Sequence, residues 1–130
     1  RSSDLFGIKP RQFVDALEFC LDVYNPKKKT VVCGHSLGGA ITEYCVSSID
    51  NENFIAVTFN GAGIKHICQP KHPENVHHYI TKRDILNRIM RWMPFNYFKH
   101  VGEIIIVEDE GWNGVKSHSN FHTFMNYNKE

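Results

Sequence analysis

The chain reads Thr30-Val31-Val32-Cys33-Gly34-His35-Ser36-Leu37-Gly38-Gly39-Ala40 at the point that decides its fold. The first four residues are β-branched or apolar, and they predict a buried strand from Thr30 to Gly34. The glycines on either side of the serine predict a tight turn, because glycine has no Cβ to clash where the backbone is crowded. The small and apolar residues that follow predict a helix packed close to a sheet. The stretch therefore predicts a strand, a sharp turn with Ser36 at its apex, and a helix.

The spacing of the two glycines around Ser36 is the G-x-S-x-G pattern of a nucleophile elbow. A serine hydroxyl is a weak nucleophile at neutral pH, so it needs a base to take its proton and donors to stabilise the resulting oxyanion. The beginning of the following helix directs free N–H groups toward this position. The pattern therefore indicates Ser36 as a nucleophile and the Leu37 backbone N–H as one oxyanion donor. The alternative interpretation is a serine in an ordinary glycine-rich turn.

Hydrophobic periodicity predicts the remaining elements of the chain. Apolar residues at three- and four-residue spacing predict an amphipathic helix from about Pro10 to Tyr24. A near-continuous apolar run predicts a strand over 54–59, as in a parallel sheet that is covered on both faces, and further strands are predicted over 76–81 and 104–107. Further helices are predicted over 37–49, 84–93 and 120–127. Strands that alternate with helices indicate βαβ units and therefore an α/β fold with a mostly parallel sheet.

Length, charge and cysteine content limit the organisation and the partners. With 130 residues, the chain is one domain at most, residues 1–130. A net charge of +1 gives no field that favours nucleic acid, and no apolar stretch reaches the roughly 20 residues of a transmembrane segment. The four cysteines form no C-x-x-C pair, which favours reduced thiols and fits a cytoplasmic location. Cys33 and Cys45 are expected as small apolar residues inside a strand and a helix.

The segment GHSLGGA at 34–40, after an apolar strand, resembles the α/β-hydrolase superfamily and in particular the class 3 lipases. VTFNGAG at 57–63 is similar to the segment that ends the next strand in those enzymes, and the resemblance extends from about Thr30 to Tyr127. It implies a serine esterase or lipase of lipid metabolism that hydrolyses carboxylic esters through a Ser–Asp–His triad and an acyl-enzyme. Lipids or other esters are the implied substrates, and no cofactor or metal is implied. The same triad would also allow acyl transfer to an alcohol.

The order of the triad in this superfamily predicts the other two catalytic residues. The acid follows a later strand, and the histidine follows the last one. Asp84 lies just past the strand 76–81 and fits the acid, although it also fits a helix N-cap, and Asp109 is the fallback. His122 is the preferred base, because residues 122–127 are similar to the H-[ST]-apolar-x-N-Y segment of lipase-like relatives. His118 is the alternative base.

The other histidines have different predicted roles. His100 resembles a structural histidine that precedes the last strand in class 3 lipases, so it is the weakest candidate for the base. His35 is the variable residue of the elbow, and its side chain need not reach the site. His77 and His78 are adjacent on a strand and therefore point to opposite faces.

A metal site is not predicted from the spacing of the histidines. His118 and His122 have helical spacing, but no H-E-x-x-H motif or cysteine pair accompanies them.

Two parts of the expected fold are not found in the sequence. Ser36 should follow several strands, as the resemblance implies, whereas residues 1–29 predict one loop and one helix. No loop that would supply a second oxyanion donor is found either. The chain is therefore expected to resemble the C-terminal part of the fold without its N-terminal strands. Either an N-terminal segment or a second chain completes the fold, or the domain is a minimal variant. The alternative function is a catalytically inactive hydrolase-like module that binds a partner.

Overall fold

The computed structural model of the protein describes residues 11–64, 70–82, 84, 100–108 and 118. These residues form two α-helices, one short 3-10 helix at Pro73–Asn75 and four strands. In chain order the main elements are α1 (Arg11–Val23), β1 (Thr30–His35), α2 (Leu37–Ile49), β2 (Phe54–Phe59), β3 (Val76–Thr81) and β4 (Glu103–Val107).

The four strands form one sheet in the order β1-β2-β3-β4, and every neighbouring pair is parallel. Gly34 lies opposite Thr58, Thr58 opposite His78, and His78 opposite Ile104. Because parallel strands run in one direction, their carboxyl ends meet at one edge of the sheet, where ligand sites of α/β proteins lie. The predicted α/β fold with a parallel sheet and flanking helices is confirmed at this level.

The predicted boundaries agree closely with the observed ones. Helix α2 and strands β2 and β3 occupy the predicted residues, while β1 continues to His35 and β4 begins one residue early at Glu103. Of the helix predicted over 84–93, only residue 84 is described. The helix predicted over 120–127 lies wholly outside the described residues. Neither of the two described α-helices is long and apolar enough to cross a bilayer.

The core lies between the helices and one face of the sheet. Alternate side chains of β2 are buried toward α2, whereas the intervening ones are only half-buried by the described residues. The rings of Tyr24 and Phe54 make an edge-to-face contact in this core. The buried apolar residues form two clusters, Cys20, Cys45, Val46, Phe54, Ala56 and Val76, and Phe13, Ala40, Tyr44 and Ile64.

One prediction about the cysteines is wrong. Cys33 is exposed rather than buried, because β1 forms an edge of the described sheet and Cys33 points away from the helix-covered face. Cys20 and Cys45 are buried as free thiols. Cys68 lies outside the described residues.

Candidate active site

Ser36 occupies a strained backbone conformation between β1 and α2. Its φ is 57° and its ψ is −121°, a region that residues with a Cβ rarely adopt. The conformation is held from both sides, since Ser36 N–H donates to Phe59 O at 3.1 Å and Gly39 N–H donates to Ser36 O at 3.0 Å. The turn therefore fixes the position of the hydroxyl at the carboxyl edge of the sheet.

The glycines around Ser36 serve different steric purposes. A Cβ on Gly34 would lie 2.2 Å from the Gly38 carbonyl oxygen, so the turn requires glycine there. A Cβ on Gly38 would meet no heavy atom of the described chain within 4 Å, so the expectation of crowding at Gly38 is wrong. Gly39 is the crowded residue of the helix, because its Cβ would lie 2.8 Å from the Cα of Gly61. Gly39 thus allows α2 to pack against the chain that leaves β2.

The side chains of Ser36, His118 and Asp84 form a continuous hydrogen-bonded chain. His118 Nε2 lies 2.8 Å from Ser36 Oγ, and His118 Nδ1 bonds the Asp84 carboxylate. A carboxylate only accepts, so Nδ1–H donates to Asp84 and Nε2 is left to accept the serine proton. Asp84 is fully buried, and its backbone N–H donates to Thr81 O at the end of β3. This arrangement matches the nucleophile, base and acid of a catalytic triad in geometry.

The structure brings together three of the predicted site residues. His118, the alternative base, lies between Ser36 and Asp84 and bonds the side chains of both. The preferred base, His122, lies outside the described residues, as does Asp109. His100 contacts His78 instead, with ring centroids 4.3 Å apart.

Two residues that were not predicted as site residues hold the backbone of His118. His35 Nε2–H donates to His118 O at 2.7 Å, and Asn60 Nδ2–H donates to the same oxygen at 3.3 Å. The expectation that the His35 side chain need not reach the site is therefore wrong. Buried Asn60 also accepts the Thr81 N–H at 2.8 Å, which links β2 to β3. The position of these two residues could have identified them in the sequence. His35 ends β1 and Asn60 directly follows β2, so both lie at the carboxyl edge of the sheet.

Leu37 is the first residue of α2 and follows Ser36 directly. The N–H groups of a first helical turn have no carbonyl partner within the helix, so this N–H is suited to an oxyanion. A second oxyanion donor remains unassigned within the described part of the chain.

A second polar cluster lies inside the protein and is separate from the triad. Burial raises the pKa of Glu43 to about 8 and lowers the pKa of His78 to about 4. Burial also lowers the pKa of His100 to about 3. At neutral pH these groups are therefore uncharged, and the 3.6 Å approach of His78 Nε2 to Glu43 Oε1 is not an ion pair.

Comparison of the chain with models of known protein families finds no match, and a search of curated proteins finds none either. The geometry around Ser36 is therefore the basis on which the function is argued.

Proposed function

We propose that the protein is a serine hydrolase of carboxylic esters, with Ser36 as the nucleophile, His118 as the general base and Asp84 as the acid. The observation that carries this proposal is the hydrogen-bonded chain from Ser36 Oγ through His118 to the buried Asp84. The strained backbone of Ser36 supports it, because such strain concentrates at functional sites. An ordinary glycine-rich turn requires neither feature.

Acylation follows from the positions of these groups. Ser36 Oγ attacks the carbonyl carbon of the ester while its proton passes to His118 Nε2. Asp84 holds the imidazole through Nδ1–H and stabilises its positive charge, and the Leu37 N–H donates to the developing oxyanion. His118 then protonates the leaving alkoxide oxygen, the C–O bond of the ester breaks, and the alcohol departs. The acyl group remains on Ser36.

Deacylation repeats these steps with water as the nucleophile. His118 takes a proton from water as the oxygen attacks the acyl carbonyl, and it returns that proton to Ser36 Oγ when the tetrahedral intermediate collapses. The products are the carboxylic acid and the free enzyme. Lipid esters are the proposed substrates, on the resemblance of the 34–40 segment to class 3 lipases. The exposed apolar side chain of Leu37, next to the nucleophile, is compatible with an acyl chain.

Labelling with a fluorophosphonate probe tests the nucleophile. We expect the wild-type chain to be labelled and Ser36→Ala to be unlabelled. Ser48→Ala is the matched control, because Ser48 is an exposed serine on the same helix, and it should label normally. Labelling that survives Ser36→Ala would refute the proposal. A folded wild-type protein that does not label would favour the inactive binding module.

The same probe distinguishes the two candidate bases. We expect His118→Ala to slow labelling strongly and His122→Ala to leave its rate near that of the wild type. The reverse result would assign the base to His122 and contradict the proposed geometry. A series of p-nitrophenyl esters with acyl chains of increasing length then tests the lipid substrate, since a preference for acetate over long chains would argue against it. Product analysis with an added alcohol separates hydrolysis from acyl transfer.

A further inference from the structure

Glu43, His78 and His100 converge in the interior on the face of the sheet that α2 covers. Glu43 comes from α2, His78 from β3, and His100 from the segment that precedes β4. Glu43 and His78 are completely buried. One ligand atom from each residue lies within 4.8 Å of the other two. The cluster thus gathers one carboxylate and two imidazoles, which is a familiar ligand set for Zn²⁺.

The contacts within the described chain do not account for the burial of the Glu43 carboxyl group. Neither of its oxygens has a hydrogen-bond partner among the described residues, although the side chain is fully buried. Buried polar groups in native proteins almost always have partners, so an exception indicates a bound species or a special role. The position of Glu43 beside two imidazoles makes a cation the natural partner.

The contacts of His78 fit a metal ligand in one of its two tautomers. His78 Nδ1 lies 2.6 Å from Thr58 Oγ1, and when Nδ1–H donates to that oxygen, Nε2 keeps its lone pair. Metal-bound histidines are usually fixed in this way by an acceptor on their other nitrogen. In the other tautomer, Nε2–H donates to Val101 O at 2.9 Å and the ring has no free lone pair for a metal. The Thr58 hydroxyl can accept from Nδ1–H or donate to Nδ1, so it is compatible with both tautomers, whereas the Val101 carbonyl oxygen only accepts. Metal binding at Nε2 therefore requires the Nδ1–H tautomer and exchanges the contact with Val101 O for a bond to the ion.

The distance between Glu43 and His78 also suits a shared metal ion. Glu43 Oε1 and His78 Nε2 are 3.6 Å apart, which is too long for a good hydrogen bond. Two ligands with bonds of about 2.0–2.1 Å at a tetrahedral zinc ion lie roughly 3.4 Å from one another. A small inward movement of either side chain would place both atoms at bonding distance from one ion.

We propose that Glu43, His78 and His100 bind one divalent transition-metal ion, with Zn²⁺ the best match, and that the ion ties α2 to β3 and to the segment before β4. Imidazole ligands select zinc and its transition-metal neighbours over Mg²⁺ and Ca²⁺, which prefer oxygen ligands. The site is independent of the chain from Ser36 to Asp84. Its predicted role is structural, because its ligands come from three separate parts of the fold.

Metal analysis and thermal unfolding of the full chain test this proposal. After chelator treatment and dialysis against Zn²⁺, we expect the wild type to retain one zinc ion per chain by elemental analysis and to unfold at a higher temperature. Mg²⁺ should have neither effect. Glu43→Gln keeps the shape of the side chain but removes a ligand, so we expect zinc to bind at least about 100-fold more weakly. His77→Ala is the matched control, because His77 lies next to His78 but bonds Glu103 on the opposite face, and zinc binding should not change.

Thr58→Val gives a second variant that leaves all three ligands in place. Loss of the Thr58 oxygen should weaken zinc binding about 10- to 100-fold, since the Nδ1–H of zinc-bound His78 would lose its hydrogen-bond acceptor. Absorption bands of tetrahedral Co²⁺ in the wild-type protein provide a measurement that needs no variant. The proposal is overturned if the folded wild type retains no zinc and shows no Co²⁺ bands. It is equally overturned if Glu43→Gln binds zinc as the wild type does, or if His77→Ala is the variant that loses it. Failure of Ser36 labelling has no bearing on these results.

Discussion

Alanine substitutions at the two glycines of the elbow are predicted to have opposite effects on stability. In Gly34→Ala, the new Cβ would lie 2.2 Å from the oxygen and 2.4 Å from the carbon of the Gly38 carbonyl, and 2.7 Å from Thr42 Oγ1. The first two obstacles are backbone atoms in the first turn of α2, so a side-chain rotation cannot relieve them. The first turn would have to move away from β1 by about 1 Å to restore an ordinary contact.

The magnitudes follow from these contacts. Overpacking usually costs about 1–3 kcal/mol, and more where the backbone must shift, so we expect Gly34→Ala to lower the free energy of unfolding by at least about 3 kcal/mol. A Cβ on Gly38 meets no described heavy atom within 4 Å, and Gly38 lies inside helix α2. Alanine is favoured over glycine in a helix by about 0.5–1 kcal/mol. Gly38→Ala should therefore unfold with unchanged or slightly increased free energy.

Urea denaturation followed by far-ultraviolet circular dichroism measures both effects. Fluorophosphonate labelling in parallel reports on Ser36, and we expect slow labelling of Gly34→Ala and retained labelling of Gly38→Ala. The steric reasoning is refuted if Gly34→Ala unfolds within about 0.5 kcal/mol of the wild type, or if the two variants lose equal stability. The wild type serves as the reference for the denaturant slope, which should be the same in all three proteins.

Three further predictions concern the acid, the β3–β4 connection and the buried histidines. Asp84→Asn should slow fluorophosphonate labelling by about 10⁴-fold, because it removes the charge that stabilises the imidazolium, whereas exposed Asp15→Asn should not. Gly102→Ala should lower the free energy of unfolding by about 2 kcal/mol or more in urea denaturation, since Gly102 has a φ of 109° and its Cβ would lie 2.5 Å from Val76 O; an unchanged midpoint would contradict this. Burial lowers the pKa of His78 to about 4 and that of His100 to about 3, from 6.5, so the unfolded chain takes up protons first as the pH falls. The test uses chelator-treated Glu43→Gln, because this variant lacks the opposing titration of the buried carboxyl group. Its free energy of unfolding should be constant above about pH 6.5, and below that pH each histidine should lower it by up to about 1.4 kcal/mol per pH unit. Equal urea midpoints at pH 5 and pH 6.5 would contradict the burial of these rings.

The sequence predicted the parallel sheet and the two helices of the described residues because the signals for these elements are local. The runs at 30–35, 54–59 and 76–81 are rich in β-branched and aromatic residues and are bounded by polar or turn-forming residues, so their boundaries follow from short-range patterns. The burial of Cys33 was predicted wrongly because the burial of a strand residue depends on what covers its face of the sheet, and the pattern of β1 alone carries no such information. Periodicity likewise gave no means of distinguishing Gly38 from Gly39 as the crowded glycine.

The candidate site could be predicted only in part. Ser36 was predicted from the G-x-S-x-G pattern and Asp84 from the triad order of the superfamily that the sequence resembles, and both follow strands whose carboxyl ends lie at one edge of the sheet. The choice between His118 and His122 could not be made physically, because both follow the last strand and short-range similarity favoured the one that lies outside the described residues. A helix, a strand and a loop supply Glu43, His78 and His100, so no short spacing in the sequence predicts that these residues lie together.

Helix α2 connects the strain at Ser36 to the interior of the protein. A residue with the backbone conformation of Ser36 costs of order 1–3 kcal/mol and persists only when its surroundings determine it. The contact of Gly39 with Gly61 and the hydrogen bond from Ser36 N–H to Phe59 O supply that constraint at the beginning of α2. Glu43 lies six residues beyond Leu37, the first residue of α2, and is the point at which the proposed metal ion would tie the same helix to β3. A bound ion would therefore resist the same displacement of α2 that relaxation of Ser36 requires, without touching the reacting atoms.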